Sequence, residues 1–154
     1  EAAETSVITE FEYGDESPGS EDADGAGYSL VFAGGDPNDP MAWRSSTAIG
    51  GNPGSSNSSS FPGGDLIDYA LSGMSVEVVG DEFLLRTRLN LSADDVEVSA
   101  QFSTDLNTWS TAAASDLISR TNHGDGTATW TFRSPLPRQT SPRQFGRIRV
   151  ALRP

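Results

Sequence analysis

The chain has 154 residues, of which 35% are hydrophobic, with 16 Gly, 9 Pro and no Cys. Its formal net charge is −12, and all ten basic residues are Arg. These figures suit one domain or two small ones made of short strands and many turns, and they exclude disulfides, thiolate metal sites and a cysteine nucleophile.

No stretch approaches the roughly 20 consecutive apolar residues that a membrane-spanning helix needs. Glu1 opens without a charged-then-apolar leader, so a signal peptide is expected to have been removed or to lie in a longer precursor. Charge is uneven along the chain: residues 1–60 hold eleven acids against Arg44 alone, and from Thr131 onward there are six Arg and no acid. A solvated, salt-tolerant surface accounts for the acidic half. The sharper alternative is an acidic end of one subunit meeting the basic end of the next. Nucleic acid is not expected as a partner, because the Arg residues fall on a predicted strand without interleaved stacking aromatics.

In chain order, "SVITEFEYGD" alternates Val7, Thr9, Phe11 and Tyr13 with Ile8, Glu10 and Glu12, the period-two pattern of a half-buried strand. "GDESPGSEDADGAG" is an acidic turn region. "YSLVF" is a second strand, with Tyr28, Leu30 and Phe32 on one side. "GSSNSSSFPGG" has linker composition, so the chain divides into residues 1–57, a Ser/Gly/Pro linker at 58–64, and residues 65–154. In "DLIDYALSG", Asp65 is a good N-cap and Gly73 a good stop, which predicts one short helix. Strands are then expected at 76–79, 82–89, 94–102, 116–119, 127–133 and 144–152, with "HGDG" and "SPLPRQTSPR" as turns. Phe145 is out of phase with Ile148, Val150 and Leu152, which predicts a bulge near Gly146. The spacing points to an all-β fold: an antiparallel sandwich of Ig-like or jelly-roll type with one short helix, preceded by an incomplete sandwich fragment.

Two stretches carry a resemblance. Asp24, Gly25, Gly27, Ser29, Leu30, Trp43, Ser46, Gly51, Pro53 and Gly54 fall in the order D-G-x-G-x-S-L, W-x-x-S, G-x-P-G. This resembles the closing segment of bacterial lamin-tail-type domains, which are immunoglobulin-like sandwiches. Asp65, Leu66, Tyr69, Ala70, Leu71, Ser103, Asp105, Leu106, Trp109, Arg147, Arg149 and Val150 resemble the C-terminal β-sandwich module of large secreted bacterial proteins. The likeness implies that residues 1–57 are the last strands of a lamin-tail-type domain, that Trp43 plugs one end of a core, and that the protein is secreted or displayed at the cell surface. Two strands with apolar faces are marginal alone in water. A neighbour is therefore expected to complete them: the C-terminal sandwich, another fragment of the same precursor, or a second subunit adding strands in trans.

Catalytic signals are sparse. His123, the only histidine, lies in the turn "NHGDG" without a partner or orienting group. No Gly-x-Ser-x-Gly occurs, and Asp94–Asp95 do not read as a glycosidase pair. Calcium is the one metal with candidate ligands: Glu21, Asp22, Asp24, Asp36, Asn38 and Asp39 lie on loops as hard oxygen donors, although the EF-hand pattern fails. Trp109 and Trp130 are expected in the core with Trp43, and a sugar platform is expected only if Trp109 and Trp130 share an exposed face. Asn57 and Asn90 sit in glycosylation sequons.

The expectation is a non-enzymatic, extracellular structural protein, an assembly or filament subunit. Val7, Ile8, Phe11, Tyr13, Tyr28, Leu30, Phe32, Arg147 and Arg149 would form its interface through strand pairing and apolar burial. The alternative is a carbohydrate-binding or adhesive module that recognises polysaccharide.

Overall fold

A computed structural model describes residues 10–12, 14, 16–52 and 54–153. Of the strand expected in "SVITEFEY", Val7, Ile8 and Tyr13 lie outside the described residues, as does Pro53, and residues 10–12 are described without strand structure. The remainder is an all-β protein of antiparallel sheets with a single short α-helix.

Strands β1 (Leu30–Phe32) and β2 (Trp43–Ser45) form a two-stranded ribbon. Helix α1 (Leu66–Ala70) leads directly into β3 (Leu71–Val79) and β4 (Glu82–Asn90). Then follow β5 (Val96–Ser103), β6 (Ser110–Thr111), β7 (Leu117–Asn122), β8 (Thr127–Arg133) and β9 (Phe145–Leu152). One sheet has the order β3-β4-β8-β7 and the other β6-β5-β9. The helix is short because its own sequence ends it. The Asp65 side chain accepts from Ile67 N and Asp68 N at the start, and by Leu71 the backbone is already extended. The stop expected at Gly73 is therefore not used, and Leu71–Gly73 belong to β3.

The two sheets close over Phe83, Leu85, Leu117 and Phe132 on one side and Ala100 and Phe102 on the other, with Ile148 and Trp130 packed against them. These are the alternating residues of their strands, as the period-two pattern requires. A second cluster joins Ala70, Ala93 and Val96 to Leu66, Tyr69, Val98 and Val150, and fixes the helix to the end of the sandwich.

The bulge expected near Gly146 is not found. β9 pairs with β5 from Phe145↔Ser103 to Leu152↔Val96 without a shift. Gly146 takes an inward place in phase with Ile148, Val150 and Leu152, and Phe145 takes an outward one. A side chain at Gly146 would stand 3.3 Å from Leu85 and Phe83, so the missing Cβ lets the sheets approach. The irregularities fall elsewhere, between Leu71 and Gly73 and between Leu117 and Ser119.

In the described part of residues 1–57, the N-terminal arm, three of the motif residues (Ser29, Ser46 and Gly51) meet in a compact knot. Ser46 N donates to Ser29 O at 2.8 Å, Ser29 N donates to Ser46 Oγ at 3.0 Å, and Ser46 Oγ donates to Ala48 O at 2.7 Å. Gly51, at φ +69°, passes so close to the Ser29 hydroxyl that any side chain there collides with it.

Leu85→Ala is expected to lower the unfolding free energy by about 3 kcal/mol through cavity formation. Gly146→Val should cost about 2 kcal/mol by overpacking, and exposed Val78→Thr should stay within about 0.5 kcal/mol. Urea unfolding of the three variants at unchanged m checks the ranking.

Candidate functional site

Three features of the chain combine charge, burial and exposure in ways that bear on function. They are the clamp under the N-terminal arm, the cleft beside it, and the free edge of β3.

The clamp begins with Asp94 and Asp95, in the turn before β5. Arg44 Nε and Nη2 donate to the two carboxylate oxygens of Asp94, each at 2.6 Å. Both side chains are largely withdrawn from water, with 6% and 13% of their surface exposed, so this is a buried ion pair. Arg44 also donates to Ser45 O and Asn57 O. The segment that reads as a linker is tied down beside it. Ser58 Oγ donates to Asp94 Oδ2, Ser59 N to Ser92 O, and Phe61 N to Asp95 Oδ2. Tyr69 places its hydroxyl 2.9 Å from Asp95 Oδ1 and 2.7 Å from Ser59 O. Burial holds that hydroxyl above its ordinary 10.0, with Asp95 and Asp94 adding to the shift and Ser59 opposing it.

On the opposite flank, Arg120 of β7 reaches the arm. It donates to Trp43 O at 2.7 Å and Pro40 O at 3.3 Å, and its guanidinium lies 4.5 Å from the Trp130 ring centre. Burial pushes this guanidinium down to about 10, and Asp39, Asp22 and Glu21 work against that shift. Asn122 adds bonds to Ser45 Oγ and Ser46 O, and its backbone N–H donates to Asp22. The arm thus covers the β7 edge, and Met41 of the arm packs on the main apolar cluster.

A cleft of about 460 Å³ remains between arm and sandwich, with Trp43 and Trp130 among its walls. Of its charged lining, all but Glu97 is already committed, with Asp36 accepting from Asn38 N. Arg44 bonds Asp94, Asp39 accepts from Met41 N, and Arg153 donates to Val96 O and Gly34 O.

The sandwich has four sheet edges. β7 is covered by the arm. β6 is two residues long, and β9 carries Arg147 and Arg149. These are ordinary ways of blunting an edge. β3 is neither covered, short nor basic: its nine residues contain no Pro, Glu77 is its one charge, its register shift lies at the start between Leu71 and Gly73, and all but Leu71 are exposed. Met74, Val76, Val78 and Val79 show 55%, 56%, 47% and 48% of their surface. Met74, Val76 and Val78 stand opposite Thr87, Leu85 and Phe83, whose side chains enter the core. They therefore share the inner face of the sheet, one strand beyond β4, outside the protected interior.

The structure distributes the sequence-predicted site residues rather than gathering them. Phe11 stacks on Trp43 at 4.4 Å, and Phe32 lies 5.0 Å from the same ring, so these form an aromatic group on the arm. Leu30 is half-buried near it, whereas Tyr28, also half-buried, turns its hydroxyl toward Gly124. Val7, Ile8 and Tyr13 lie outside the described residues. Arg147 stacks on Trp109 at 4.0 Å and bonds Gln101 Oε1, and Arg149 is exposed on the same outer face. Trp43 is half-buried, with its Nε1 donating to Pro37 O, and it is Met41 that reaches the main cluster. Trp109 follows β5 on the outer side of the three-stranded sheet, and Trp130 packs on the core from the inner side of the other, so the two rings do not share a face.

Asp36 and Asp39 cap their own turns and Asp22 accepts from Asn122 N. Among the described residues no three acidic or histidine side chains converge as a metal ion requires. Among them, too, no helix is long and apolar enough to cross a membrane. The clamp and the β3 edge are not evident from sequence motifs. The alternation of Met74, Val76 and Val78 with Ser75 and Glu77 is the one trace of the latter, and the apparent helix stop at Gly73 masks its start.

No family model, curated protein or solved structure matches this chain.

Arg44→Ala, which strands Asp94 in a site that excludes water, should cost about 3–5 kcal/mol, and Arg44→Met with Asp94→Leu should recover most of it. Urea unfolding reads both, and protease cleavage within residues 54–64 should rise in the single variant alone. The raised Tyr69 pKa gives stability that is present below pH 10 and lost as pH climbs through the raised value. Tyr69→Phe should flatten that alkaline part of the stability profile, measured by thermal melts between neutral and alkaline pH.

Proposed function

We propose that this protein is a non-enzymatic structural subunit of an extracellular or cell-surface assembly, joined to its neighbours by strand addition and apolar burial. The observation that carries the reading is β3, a nine-residue edge strand with one partner among the described residues, an apolar inner row, no Pro or basic residue, and a register shift confined to its start at Leu71–Gly73. A free edge supplies a ladder of unpaired backbone groups, and a neighbouring strand satisfies them without a pocket or a cofactor. The aromatic group of Phe11, Phe32 and Trp43 adds apolar surface on the arm.

The extracellular setting rests on composition and on the lamin-tail-type motif. A cysteine-free, strongly acidic chain rich in Gly, Ser and Pro suits such a setting. The motif residues Ser29, Ser46 and Gly51 meet in one knot, which supports treating them as a unit. The two-tryptophan sugar platform required Trp109 and Trp130 on one face, and their separation leaves assembly as the reading with the stronger support.

The native mass of the purified chain, measured by light scattering from micromolar concentration up to about 1 mM, tests the proposal. Mass should rise with concentration, and Val76→Lys with Val78→Lys should lower it at every point. A particle that stays monomeric throughout, or that is retained on polysaccharide without self-association, overturns the reading.

A further inference from the structure

We infer that the neighbour on β3 is a second copy of the chain, paired β3 to β3 in antiparallel fashion about a two-fold axis through Val76. The inference rests on the assembly reading above and specifies its partner and register.

The register follows from the hairpin. β3 and β4 are joined by the two-residue turn Gly80–Asp81, and Val79 lies opposite Glu82. In such a hairpin the residues flanking the turn exchange both backbone hydrogen bonds, and bonded and non-bonded pairs then alternate along the ladder. Val79, Glu77 and Ser75 therefore turn their N–H and C=O groups toward β4. Met74, Val76 and Val78 turn theirs outward. The residues that offer free backbone groups are thus the ones that carry the exposed apolar row.

An axis through Val76 makes these groups self-complementary. Val76 meets Val76 of the second copy as a hydrogen-bonded pair, and Met74 meets Val78 on either side of it. All three outward residues of each copy then exchange N–H and C=O bonds with the other. The apolar rows run side by side, as cross-strand pairs prefer.

The outer face decides between this axis and its neighbours. Glu77 already bonds Arg86 of its own chain at 2.8 Å, and Ser75 lies opposite Arg86 in the β3–β4 register. With the axis at Val76, Glu77 of one copy stands beside Ser75 of the other. Arg86 is one strand further on, separated only by that small side chain. Each carboxylate then lies between two guanidinium groups. An axis through Glu77 would set the two carboxylates face to face, which is repulsive. An axis through Ser75 would leave Val78 without an apolar partner. The favoured arrangement joins two four-stranded sheets into one of eight strands, closed by its own symmetry. The contact is smaller than a standard protein interface, so a dissociation constant on the order of 100 μM is expected.

Because the chain has no Cys, single cysteines report the register directly. Hydrogen-bonded antiparallel pairs place their Cα atoms about 5.5 Å apart, within disulfide reach. Val76→Cys should form a disulfide dimer under mild oxidation, read by non-reducing electrophoresis and intact mass. Met74→Cys and Val78→Cys should each stay monomeric when alone, since four residues of strand, about 13 Å, separate each from its own copy. Mixed together, they should give the heterodimer. Val76→Lys should weaken the dimer by about tenfold or more. Val76 is exposed, so an unchanged circular dichroism spectrum is expected to accompany each variant.

Self-association of the unmodified chain with Val76→Cys left reduced overturns the two-fold on β3 and leaves the assembly reading standing. Cross-linking of Ser75→Cys in place of Val76→Cys overturns the register. A chain that neither associates nor cross-links overturns both inferences.

Discussion

The organisation of this protein depends on one buried charge pair. Arg44 is the single basic residue of the first sixty, and its guanidinium sits at 2.6 Å from both oxygens of Asp94, away from solvent. A buried pair of this kind adds little net stability compared with apolar residues of the same shape, but it is unforgiving of separation. That asymmetry suits a positioning role. The arm is held in one place because any other place leaves a charge buried without its partner. Asp94 also accepts from Ser58 Oγ, and the adjacent Asp95 accepts from Phe61 N and the Tyr69 hydroxyl, so arm, connecting segment and helix share one turn as anchor.

The arm in turn determines which surfaces remain available. By bonding Arg120 and Asn122 it covers β7, and with β6 short and β9 charged at the edges of the other sheet, β3 is the long margin of the sandwich that nothing covers among the described residues. The same strand carries the exposed apolar row. An edge of this kind is a liability for a solitary protein and an asset for one that associates. The net charge of −12 opposes indiscriminate stacking. Association is then favoured only where backbone bonds, apolar contacts and the Glu77–Arg86 charges coincide.

Other local features are explained by neighbouring chemistry. Leu106 adopts φ 65°, a left-handed conformation that costs a side-chain-bearing residue about 1–2 kcal/mol. The turn is held by Asp105, whose carboxylate accepts from Asn107 N and Thr108 N, and by Ser103 Oγ, which accepts from Leu106 N. Those backbone bonds hold the Asp105 carboxyl below its ordinary value. The turn presents Trp109 to the Arg147 guanidinium and so ties the β5–β6 connection to the last strand.

The sequence by itself determined what depends on local pattern. Alternation of Phe83 with Leu85 and of Ala128 with Phe132 marked the inner faces of β4 and β8, and Asp65 marked the start of α1. The all-β class follows from these periods, because side chains on a strand must alternate. Gly146 defeated the same logic, since a residue without a side chain has no visible phase and the strand around it read as broken. Only the tertiary structure decided that Ser58, Ser59 and Phe61 are bonded to the sandwich, that Arg44 meets a carboxylate fifty residues away, and that β3 ends a sheet with no further strand beside it among the described residues. Composition describes how readily a segment turns, and periodicity describes which way side chains face. Neither specifies which distant strand is a neighbour, and edges, buried pairs and clefts exist only in that long-range arrangement.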